Sequence, residues 1–236
     1  MKTALTIAGT DSSGGAGVTA DFRTFAAHGV WGVCAVTAVT AQDARGVHGV
    51  EAVSPDTLAA QIAAASPDAA KTGMLPSVAA VDAVLRTLPA GVPLVVDPVL
   101  HATTGERLSV VPPELVARAT VVTPNREEAA ALTGVSDQAE AAGLLLRMGA
   151  RVAMVTGSET ARDCVATGNG IIWLDGVHVD APNTHGTGCV LSAAITAELA
   201  NGMDPVDACV AAKHFVERAL ADRWPFFPAF PAPGRS

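Results

Sequence analysis

Short apolar segments alternate with longer segments of helical periodicity along the chain. Ala4–Ala8 and Val33–Thr40 predict strands, because apolar and β-branched residues dominate both. The stretch Ala20–His28 between them predicts a helix that ends at Gly29. Repeated strand-then-helix units of this kind predict an α/β fold, in which helices cover both faces of a mostly parallel sheet.

The same alternation continues to residue 222. It predicts further strands at Ala69–Thr72, Pro93–Val96, Ala119–Val122 and Val152–Val155. It predicts further helices at Thr57–Ala65, Val78–Leu88, Arg126–Leu132, Gln138–Met148, Gly188–Ala200 and Pro205–Asp222. The stretch Cys164–Asp180, with its spaced glycines and polar residues, predicts an antiparallel hairpin or meander.

Polar residues collect where the predicted strands end. They are Asp11 after the first strand, Gln42-Asp43 after the second, Asp97 after a middle one, Asn125 and Glu128 after the next, and Thr156-Gly157 after the last. Ligands of open α/β sheets bind at the carboxyl ends of the strands. We therefore expect these side chains to line one crevice.

Composition narrows the possible functions. Half of the 236 residues are apolar and the formal net charge is −8. A chain with this charge has no broad basic field, so we expect no nucleic-acid partner and no anionic membrane surface. The four cysteines lack CxxC spacing, which indicates neither a zinc site nor a disulfide framework.

Neither a linker nor an internal repeat interrupts the pattern. We expect a single domain over residues 1–224, followed by a Pro/Phe-rich tail over residues 225–236. Met1-Lys2-Thr3 leads directly into a strand too short for the apolar region of a signal peptide, and no apolar run reaches membrane-spanning length. The prediction is a cytoplasmic protein.

The segment Asn183-Thr184-His185-Gly186-Thr187-Gly188-Cys189 is the most informative motif. Two glycines one residue apart let several N–H groups point in one direction, and the helix that follows adds its own unpaired N–H groups. Such an arrangement binds anions, most often phosphate. Cys189 on the first helical turn is a candidate base or proton relay, although a small buried hydrophobe is the simpler interpretation of a lone cysteine.

These motifs together resemble the hydroxymethylpyrimidine/phosphomethylpyrimidine kinases of thiamine biosynthesis, within the ribokinase-like superfamily. The resemblance spans about Leu5 to Leu220. It rests on Leu5 to Gly17 with Asp21, Thr37 to Gln42, Lys71-Thr72-Gly73-Met74-Leu75, Asp97-Pro98-Val99, Thr123-Pro124-Asn125 with Glu128-Ala129, and Asn183 to Ser192.

The resemblance implies a three-layer αβα sandwich that moves the γ-phosphoryl group of ATP to the hydroxymethyl group of an aminopyrimidine, and then a second phosphoryl group onto the monophosphate. It implies Mg²⁺ as cofactor, ATP as co-substrate and a homodimer. In this branch a cysteine occupies the place of the aspartate base of sugar kinases, as Cys189 does here. Gly186, Thr187 and Gly188 complete the implied catalytic loop.

The resemblance also assigns roles to individual residues. Gly9, Asp21, Gln42 and Met74 are implied to contact the pyrimidine, Asn125, Thr156, Thr184 and Lys71 the nucleotide, and Asp97 and Glu128 the metal. Residue chemistry alone leaves alternatives open. Asn125 and Glu128 also suit an N-cap with a first-turn carboxylate, Asp97 also suits a strand end, and Lys71 also suits a paired structural residue.

Two positions depart from the pattern of the resemblance. Thr156 stands where many relatives carry a lysine that approaches the nucleotide phosphates, and Asp43 stands where an asparagine is usual. The branch also contains pyridoxal kinases with the same cysteine. Three hypotheses therefore remain: a kinase of the thiamine pyrimidine, a pyridoxal kinase, and a non-catalytic pyrimidine-binding homologue. A dinucleotide dehydrogenase is disfavoured, because residues Gly9 to Gly17 do not form a Gly-x-Gly-x-x-Gly turn.

Overall fold

The computed structural model describes residues 1–43, 46–100, 109–157, 160–176 and 185–222. Its strands are β1 (Thr3–Ala8), β2 (Trp31–Val36), β3 (Ala38–Asp43), β4 (Gly46–Ala52), β5 (Ala69–Thr72), β6 (Leu94–Val96), β7 (Val121–Val122), β8 (Val152–Val155), β9 (Arg162–Thr167) and β10 (Gly170–Asp175). Its helices are α1 (Gly17–Ala27), α2 (Pro55–Ala64), α3 (Val78–Thr87), α4 (Pro113–Arg118), α5 (Arg126–Thr133), α6 (Gln138–Arg147), α7 (Thr187–Ala200) and α8 (Pro205–Asp222).

Eight of these strands form one sheet in the order β10-β9-β8-β7-β6-β5-β1-β2. From β8 to β2 all neighbouring strands are parallel, whereas β9 runs antiparallel to both β8 and β10. The predicted mostly parallel sheet is therefore confirmed. The hairpin predicted within Cys164–Asp180 is confirmed as β9 and β10, and residues 177–180 lie outside the described part of the chain.

Alternate residues of each strand face opposite layers of helices. In β6, Leu94 and Val96 pack with α2 to α6, whereas Val95 packs with α1, α7 and α8. In β8, Ala153 and Val155 face the layer of α2 to α6, whereas Val152 and Met154 face the layer of α1, α7 and α8. This alternation follows from the two-residue period of a strand, and nearly continuous apolar runs are typical of strands buried on both faces. The three-layer αβα sandwich is confirmed.

Helix α7 is apolar on nearly all sides, and it is buried along almost its whole length. It packs on the sheet with α1 and α8 as its neighbours in the same layer, and it contacts β1, β5 and β6. This central position brings the N-terminus of α7, with Gly186 to Cys189, next to the carboxyl ends of those strands.

The second predicted strand is wrong in one respect. Val33–Thr40 is two strands, because the chain leaves the main sheet at the fully buried Thr37. The N–H of Thr37 donates to the carbonyl of Ala8 at 3.0 Å, and its hydroxyl donates to the carbonyl of Met74 at 2.6 Å. After it, β3 pairs with β4 in a separate two-stranded sheet that carries Gln42. Both halves are rich in β-branched residues, so periodicity shows no break between them.

Two elements were not predicted, namely β4 and the short helix α4. The tail predicted at residues 225–236 lies outside the described residues, as do Asn183 and Thr184. Among the helices of the described chain, none combines the length and apolar character needed to cross a membrane.

Candidate active site at the carboxyl edge of the sheet

A cavity of about 480 Å³ lies at the carboxyl edge of the parallel strands. Its lining brings together Asp11, Gln42, Asp97, Asn125, Glu128, Thr156 and Gly157 with the loop Gly186 to Cys189. The expectation that strand-end residues share one crevice is therefore confirmed for all of them except Asp43, which lies outside the lining and contacts His48 at 2.9 Å. It holds because parallel strands all present their carboxyl ends at the same edge of the sheet.

One wall of the cavity is the N-terminus of α7. Gly186 is the N-cap residue and has a left-handed backbone with a φ of 86°. Glycine has no side chain that could accept the first N–H groups of the helix, so the first turn presents N–H groups at the positive end of the helix dipole. Thr187, Gly188 and Cys189 complete this wall. The geometry is that of an anion site.

The loop before α1 packs tightly against this wall. A Cβ atom at Gly186 would overlap the carbonyl oxygen of Gly15. The positive φ and the close approach both require glycine at position 186. The loop of residues 10–16 thereby positions the anion site from the substrate side.

A buried ion pair lies beneath the cavity. The ammonium group of Lys71 donates to Oδ1 of Asp21 at 2.8 Å and to the carbonyl of Cys189 at 3.4 Å, and it lies 3.8 Å from Oδ2 of Asp97. Asp21 also accepts a hydrogen bond from the hydroxyl of Thr6 at 2.6 Å. Burial alone lowers the pKa of Lys71, but the charges of Asp21, Cys189 and Asp97 together raise it above its usual value. Lys71 is therefore a buried cation.

This arrangement bears on two predicted roles. Asp21 is fully buried and is not part of the cavity lining, so it contacts Lys71 rather than the cavity. Lys71 lines the cavity but has no exposed surface, which favours its alternative interpretation as a paired structural residue, and its nucleotide contact stays a prediction. A solvated carboxylate and a buried one on the first helix have the same sequence signature, and only the position of Lys71 distinguishes them.

Cys189 is also different from the expectation. Burial raises the pKa of its thiol to about 12; Lys71 lowers it, whereas Asp97 and Asp21 raise it further. The thiol is therefore protonated near neutral pH, which does not favour a resting thiolate base and leaves the proton relay as the remaining catalytic alternative. Desolvation and two neighbouring carboxylates outweigh the helix dipole. Cys189 still borders the cavity beside the anion site.

Asn125 and Glu128 form a capping box at the start of α5. Oδ1 of Asn125 accepts the N–H of Glu128 at 2.9 Å, and Oε2 of Glu128 accepts the N–H of Asn125 at 3.0 Å. Oε1 of Glu128 also accepts the N–H of Leu100 at 3.2 Å. Both residues nevertheless line the cavity, so the capping role and the predicted ligand roles are compatible.

Two carboxylates of the cavity suit a hard cation. Burial raises the pKa of both Asp97 and Glu128, and the charge of Asp97 contributes to a value of about 7 for Glu128. Oδ2 of Asp97 accepts the hydroxyl of Ser192 at 2.8 Å. No group of three or more His, Cys, Asp or Glu side chains that could hold a metal occurs among the described residues. Mg²⁺ is usually held by one or two carboxylates, with water and substrate phosphates completing its shell, so this pair fits it.

Another part of the cavity lining suits a flat ring. Gly9, Met74 and Gln42, the residues predicted for the pyrimidine side, belong to this lining. A Cβ atom at Gly9 would lie 3.1 Å from the sulfur of Met74, so glycine permits a close approach of the two. The backbone of Gln42 is held at both ends, because its N–H donates to Oγ of Ser12 at 2.8 Å and its carbonyl accepts from the same hydroxyl at 2.7 Å.

Asp11 was predicted only to line the crevice, and His185 had no predicted role. Nε2 of His185 lies 2.9 Å from Oδ2 of Asp11. The same atom lies 3.4 Å from the side-chain amide of Gln42, at the amide atom placed as Nε2. Burial raises the pKa of Asp11, but the hydrogen bonds from His185 and Ser13 lower it by more. The pKa of Asp11 is therefore below its usual value. His185 precedes the glycine loop and Asp11 follows β1. Their positions in two separate motifs were the only available signal.

A second group that was not predicted from the sequence lies between the middle of α8 and the start of β9. The ammonium of Lys213 donates to Oδ2 of Asp163 at 2.9 Å and lies 3.6 Å from Oε1 of Glu217, and all three residues line the cavity. Oδ1 of Asp163 accepts the N–H of Gly157 at 2.9 Å. Lys213 therefore places a cation close to the loop where Thr156 replaces the expected lysine.

Two further residues, Thr156 and Thr184, were predicted to contact the nucleotide. Thr156 lines the cavity beside Asn125, to which it is joined by an isolated parallel bridge, and its N–H donates to the carbonyl of Pro124 at 2.9 Å. Thr184 lies outside the described residues. Its predicted nucleotide contact stays a prediction.

Comparisons with known proteins agree with this geometry. A family model described as phosphomethylpyrimidine kinase matches residues 11–228. The hydroxymethylpyrimidine/phosphomethylpyrimidine kinase of Synechococcus elongatus is 40% identical over 242 residues, which cover 92% of this chain and 90% of the relative. The pyridoxine kinase of Bacillus subtilis is 38% identical over 250 residues, which cover 95% of this chain and 92% of the relative.

Solved structures give the same picture. The ADP complex of Bacillus subtilis pyridoxal kinase superimposes with a TM-score of 0.78 at 38% identity, covering 91% of this chain and 90% of that one. The likeness shows the ribokinase-like fold, and it places this chain among nucleotide-binding kinases. The relatives divide between a pyrimidine and a vitamin B6 substrate, at nearly equal identity.

We expect Lys71→Met to destabilise the protein by about 3–5 kcal/mol, because it leaves the Asp21 carboxylate buried without its cation. The double variant Lys71→Met/Asp21→Asn should be more stable than the single one, since no unpaired charge remains. Urea unfolding monitored by circular dichroism measures both. A double variant that is no more stable than Lys71→Met would contradict the ion pair.

Gly186→Ala and Gly202→Ala form a matched pair, because φ is positive at both positions but a Cβ at Gly202 meets nothing within 4 Å. We expect Gly202→Ala to cost about 1 kcal/mol from backbone strain alone. Gly186→Ala should cost more and weaken ADP binding by at least about tenfold, because it displaces the anion loop. Urea unfolding measures the loss of stability, and calorimetric titration measures the affinity for ADP. Equal ADP affinity in the two variants would contradict the prediction.

Proposed function

The chain belongs to the phosphomethylpyrimidine kinase family, and from that premise we propose that it phosphorylates 4-amino-5-hydroxymethyl-2-methylpyrimidine and then its monophosphate, with ATP as the phosphoryl donor. That the chain is an ATP-dependent vitamin kinase of the branch shared with pyridoxal kinases follows from the family match and from the relatives. The choice of the pyrimidine as substrate is the proposal.

One observation carries this proposal. The anion site at Gly186 to Cys189 and the ring-facing surface of Gly9, Met74 and Gln42 are parts of a single cavity. A ring bound against Gln42 would direct its hydroxymethyl group towards the anion site. Holding two reactants in such a geometry is the main contribution that a kinase makes to the rate.

In this mechanism the N–H groups at the start of α7 donate hydrogen bonds to the oxygens of the phosphoryl group while it moves from ATP to the substrate hydroxyl. Negative charge spreads over its equatorial oxygens in the transition state, and preorganised donors stabilise that charge without reorganisation. Lys71 acts from below, because its ammonium holds the carbonyl of Cys189 at 3.4 Å and lies 3.8 Å from Asp97. Asp21 maintains the position of Lys71.

Asp97 and Glu128 would hold Mg²⁺, since their buried carboxylates supply the oxygen ligands that this ion prefers. When bound, the ion would neutralise charge on the nucleotide phosphates. Ser192 orients Asp97 through its hydroxyl, and Asn125 orients Glu128 through the capping box. Thr156 and Lys213 would contact the nucleotide from the far side of the cavity.

The protonated thiol of Cys189 is proposed to relay the hydroxymethyl proton rather than to accept it as a resting thiolate. With a pKa of about 12, the thiol keeps its proton through the neutral range. A relay takes the hydroxymethyl proton while it passes its own proton to an oxygen of the transferred phosphoryl group, so it does not require a resting thiolate.

Pyridoxal kinase activity is the second candidate, because the pyridoxine kinase of Bacillus subtilis is as similar to this chain as the pyrimidine kinases are. The substitution of Thr156 for the expected lysine keeps a third candidate, a non-catalytic pyrimidine-binding homologue. A homodimer is also proposed on the family resemblance alone, and the cytoplasmic location predicted from the sequence stays a proposal.

The purified full chain, with Mg·ATP, should convert the aminopyrimidine alcohol to its monophosphate and diphosphate, at a higher kcat/KM than it shows for pyridoxal. Mass spectrometry identifies the products. Pyridoxal as the sole substrate would replace the proposal with its alternative. Binding of the pyrimidine in calorimetry without any product would favour the non-catalytic homologue.

We expect Cys189→Ala to lower kcat by about tenfold, less than the 10²–10⁴ typical of a full general base, because the thiol is protonated at rest. Cys189→Ser should keep most of the activity, since a hydroxyl can also relay a proton. Cys34→Ala is the matched control, because Cys34 is likewise a partly exposed free thiol but does not line the cavity. Steady-state kinetics measure all three, and an unchanged kcat in Cys189→Ala would make the thiol a spectator.

A further inference from the structure

Three side chains meet at the ring-facing surface of the cavity. Nε2 of His185 lies 2.9 Å from Oδ2 of Asp11 and 3.4 Å from the amide terminus of Gln42. A single ring nitrogen therefore faces both a carboxylate and an amide. A nitrogen that carries a hydrogen can only donate, and one without a hydrogen can only accept, so these two contacts constrain one another.

Asp11 decides which state the ring nitrogen adopts. Oδ1 of Asp11 accepts the N–H of Ser13 at 2.9 Å and its hydroxyl at 2.7 Å, and Oδ2 accepts the N–H of Ala16 at 2.8 Å. Both oxygens thus act as acceptors, and the side chain is almost fully buried. Nε2 of His185 must therefore carry a hydrogen and donate it to Asp11.

The consequence falls on Gln42. An N–H group of His185 cannot accept from the NH₂ group of an amide, whereas it can share its hydrogen with an amide oxygen. Because the O and N atoms of a glutamine amide are exchanged by a half-turn, their assignment follows from the hydrogen-bond network. Oε1 of Gln42 is then the atom next to His185, and the NH₂ group is the part left for a ligand in the cavity that Gln42 lines.

The loop after β1 keeps His185 and Gln42 next to one another. Ser12 binds both backbone groups of Gln42 through its hydroxyl. A Cβ atom at Gly15 would lie 2.7 Å from Cδ2 of His185, so glycine at this position leaves room for the ring. The imidazole is thus confined between Gly15 and Asp11, and it has little freedom to turn away from Gln42.

We propose that His185, oriented by Asp11, is a positioning residue that fixes the amide of Gln42 with its NH₂ group towards the ligand. The ring-facing surface of the cavity then selects a heterocycle edge that accepts a hydrogen bond, such as a ring nitrogen or an oxygen substituent. This inference rests on the proposed function, namely that a nitrogen heterocycle binds against Gln42.

The first experiment is independent of catalysis. Long-range ¹H–¹⁵N correlation spectra of the ¹⁵N-labelled full chain, assigned by comparison with His185→Phe, report which imidazole nitrogen carries hydrogen. We expect a hydrogen on Nε2 of His185 at neutral pH. Hydrogen on Nδ1 alone would overturn the inference, whether or not the protein is active.

The second experiment measures specificity as the ratio of kcat/KM for the aminopyrimidine alcohol to that for pyridoxal. His185→Phe keeps the ring but removes the N–H, so Gln42 can rotate and accept from the amino group of the pyrimidine. We expect this ratio to rise by about tenfold, the factor for roughly one hydrogen bond. His185→Gln places an amide NH₂ near the position of Nε2 and should stay within about twofold of the unsubstituted ratio.

The outcomes separate the two proposals. Equal losses for both substrates in His185→Phe would make the ring a packing element and would overturn the inference while leaving the kinase assignment intact. Phosphorylation of neither substrate by the unsubstituted chain would refute the proposed function, and the spectra would then decide the inference. If His185→Phe fails to fold, a ratio in His185→Gln that moves by as much as tenfold is the contrary result.

Discussion

The ammonium of Lys71 is the interaction on which the site depends, because it joins four elements that are distant in the chain. It extends from β5 to Asp21 on α1, to Asp97 at the end of β6 and to the first turn of α7 at Cys189. A buried cation without partners is very costly, so these elements can pack only when their acceptors converge on it. The same convergence sets the distance between the strand ends and the anion loop.

The cavity above this cation has two parts with different demands. The part at α7 presents backbone N–H groups, which suit a phosphoryl group irrespective of the rest of a substrate. The part at Gln42 presents side chains, and under the proposed function it would face the substrate ring. Such a division would let relatives at 38% and 40% identity act on different substrates with one fold.

The tertiary structure also sets the pKa values of the ionisable groups that surround the cavity. Asp97 raises the pKa of both Glu128 and Cys189, Asp21 also raises that of Cys189, and Lys71 opposes these shifts at Cys189. The raised pKa values of the thiol and of Glu128 are both consequences of burial next to like charge. Under the proposed function, a divalent cation and the donors of α7 would balance these charges and let a site rich in carboxylates bind a polyanion.

The sequence by itself determined the layers of the fold, the strand ends that carry chemistry and the glycine loop before α7, because these follow from local periodicity and from backbone requirements such as the positive φ of Gly186. It did not determine the break at Thr37, the burial of Asp21 against Lys71, the protonated state of Cys189 or the meeting of Asp11 with His185. Each of these depends on groups far apart in the chain, since desolvation and ion pairing act through space. Only the tertiary structure brings those groups within hydrogen-bond distance, and it therefore decided which polar residues face the cavity and which support it from beneath.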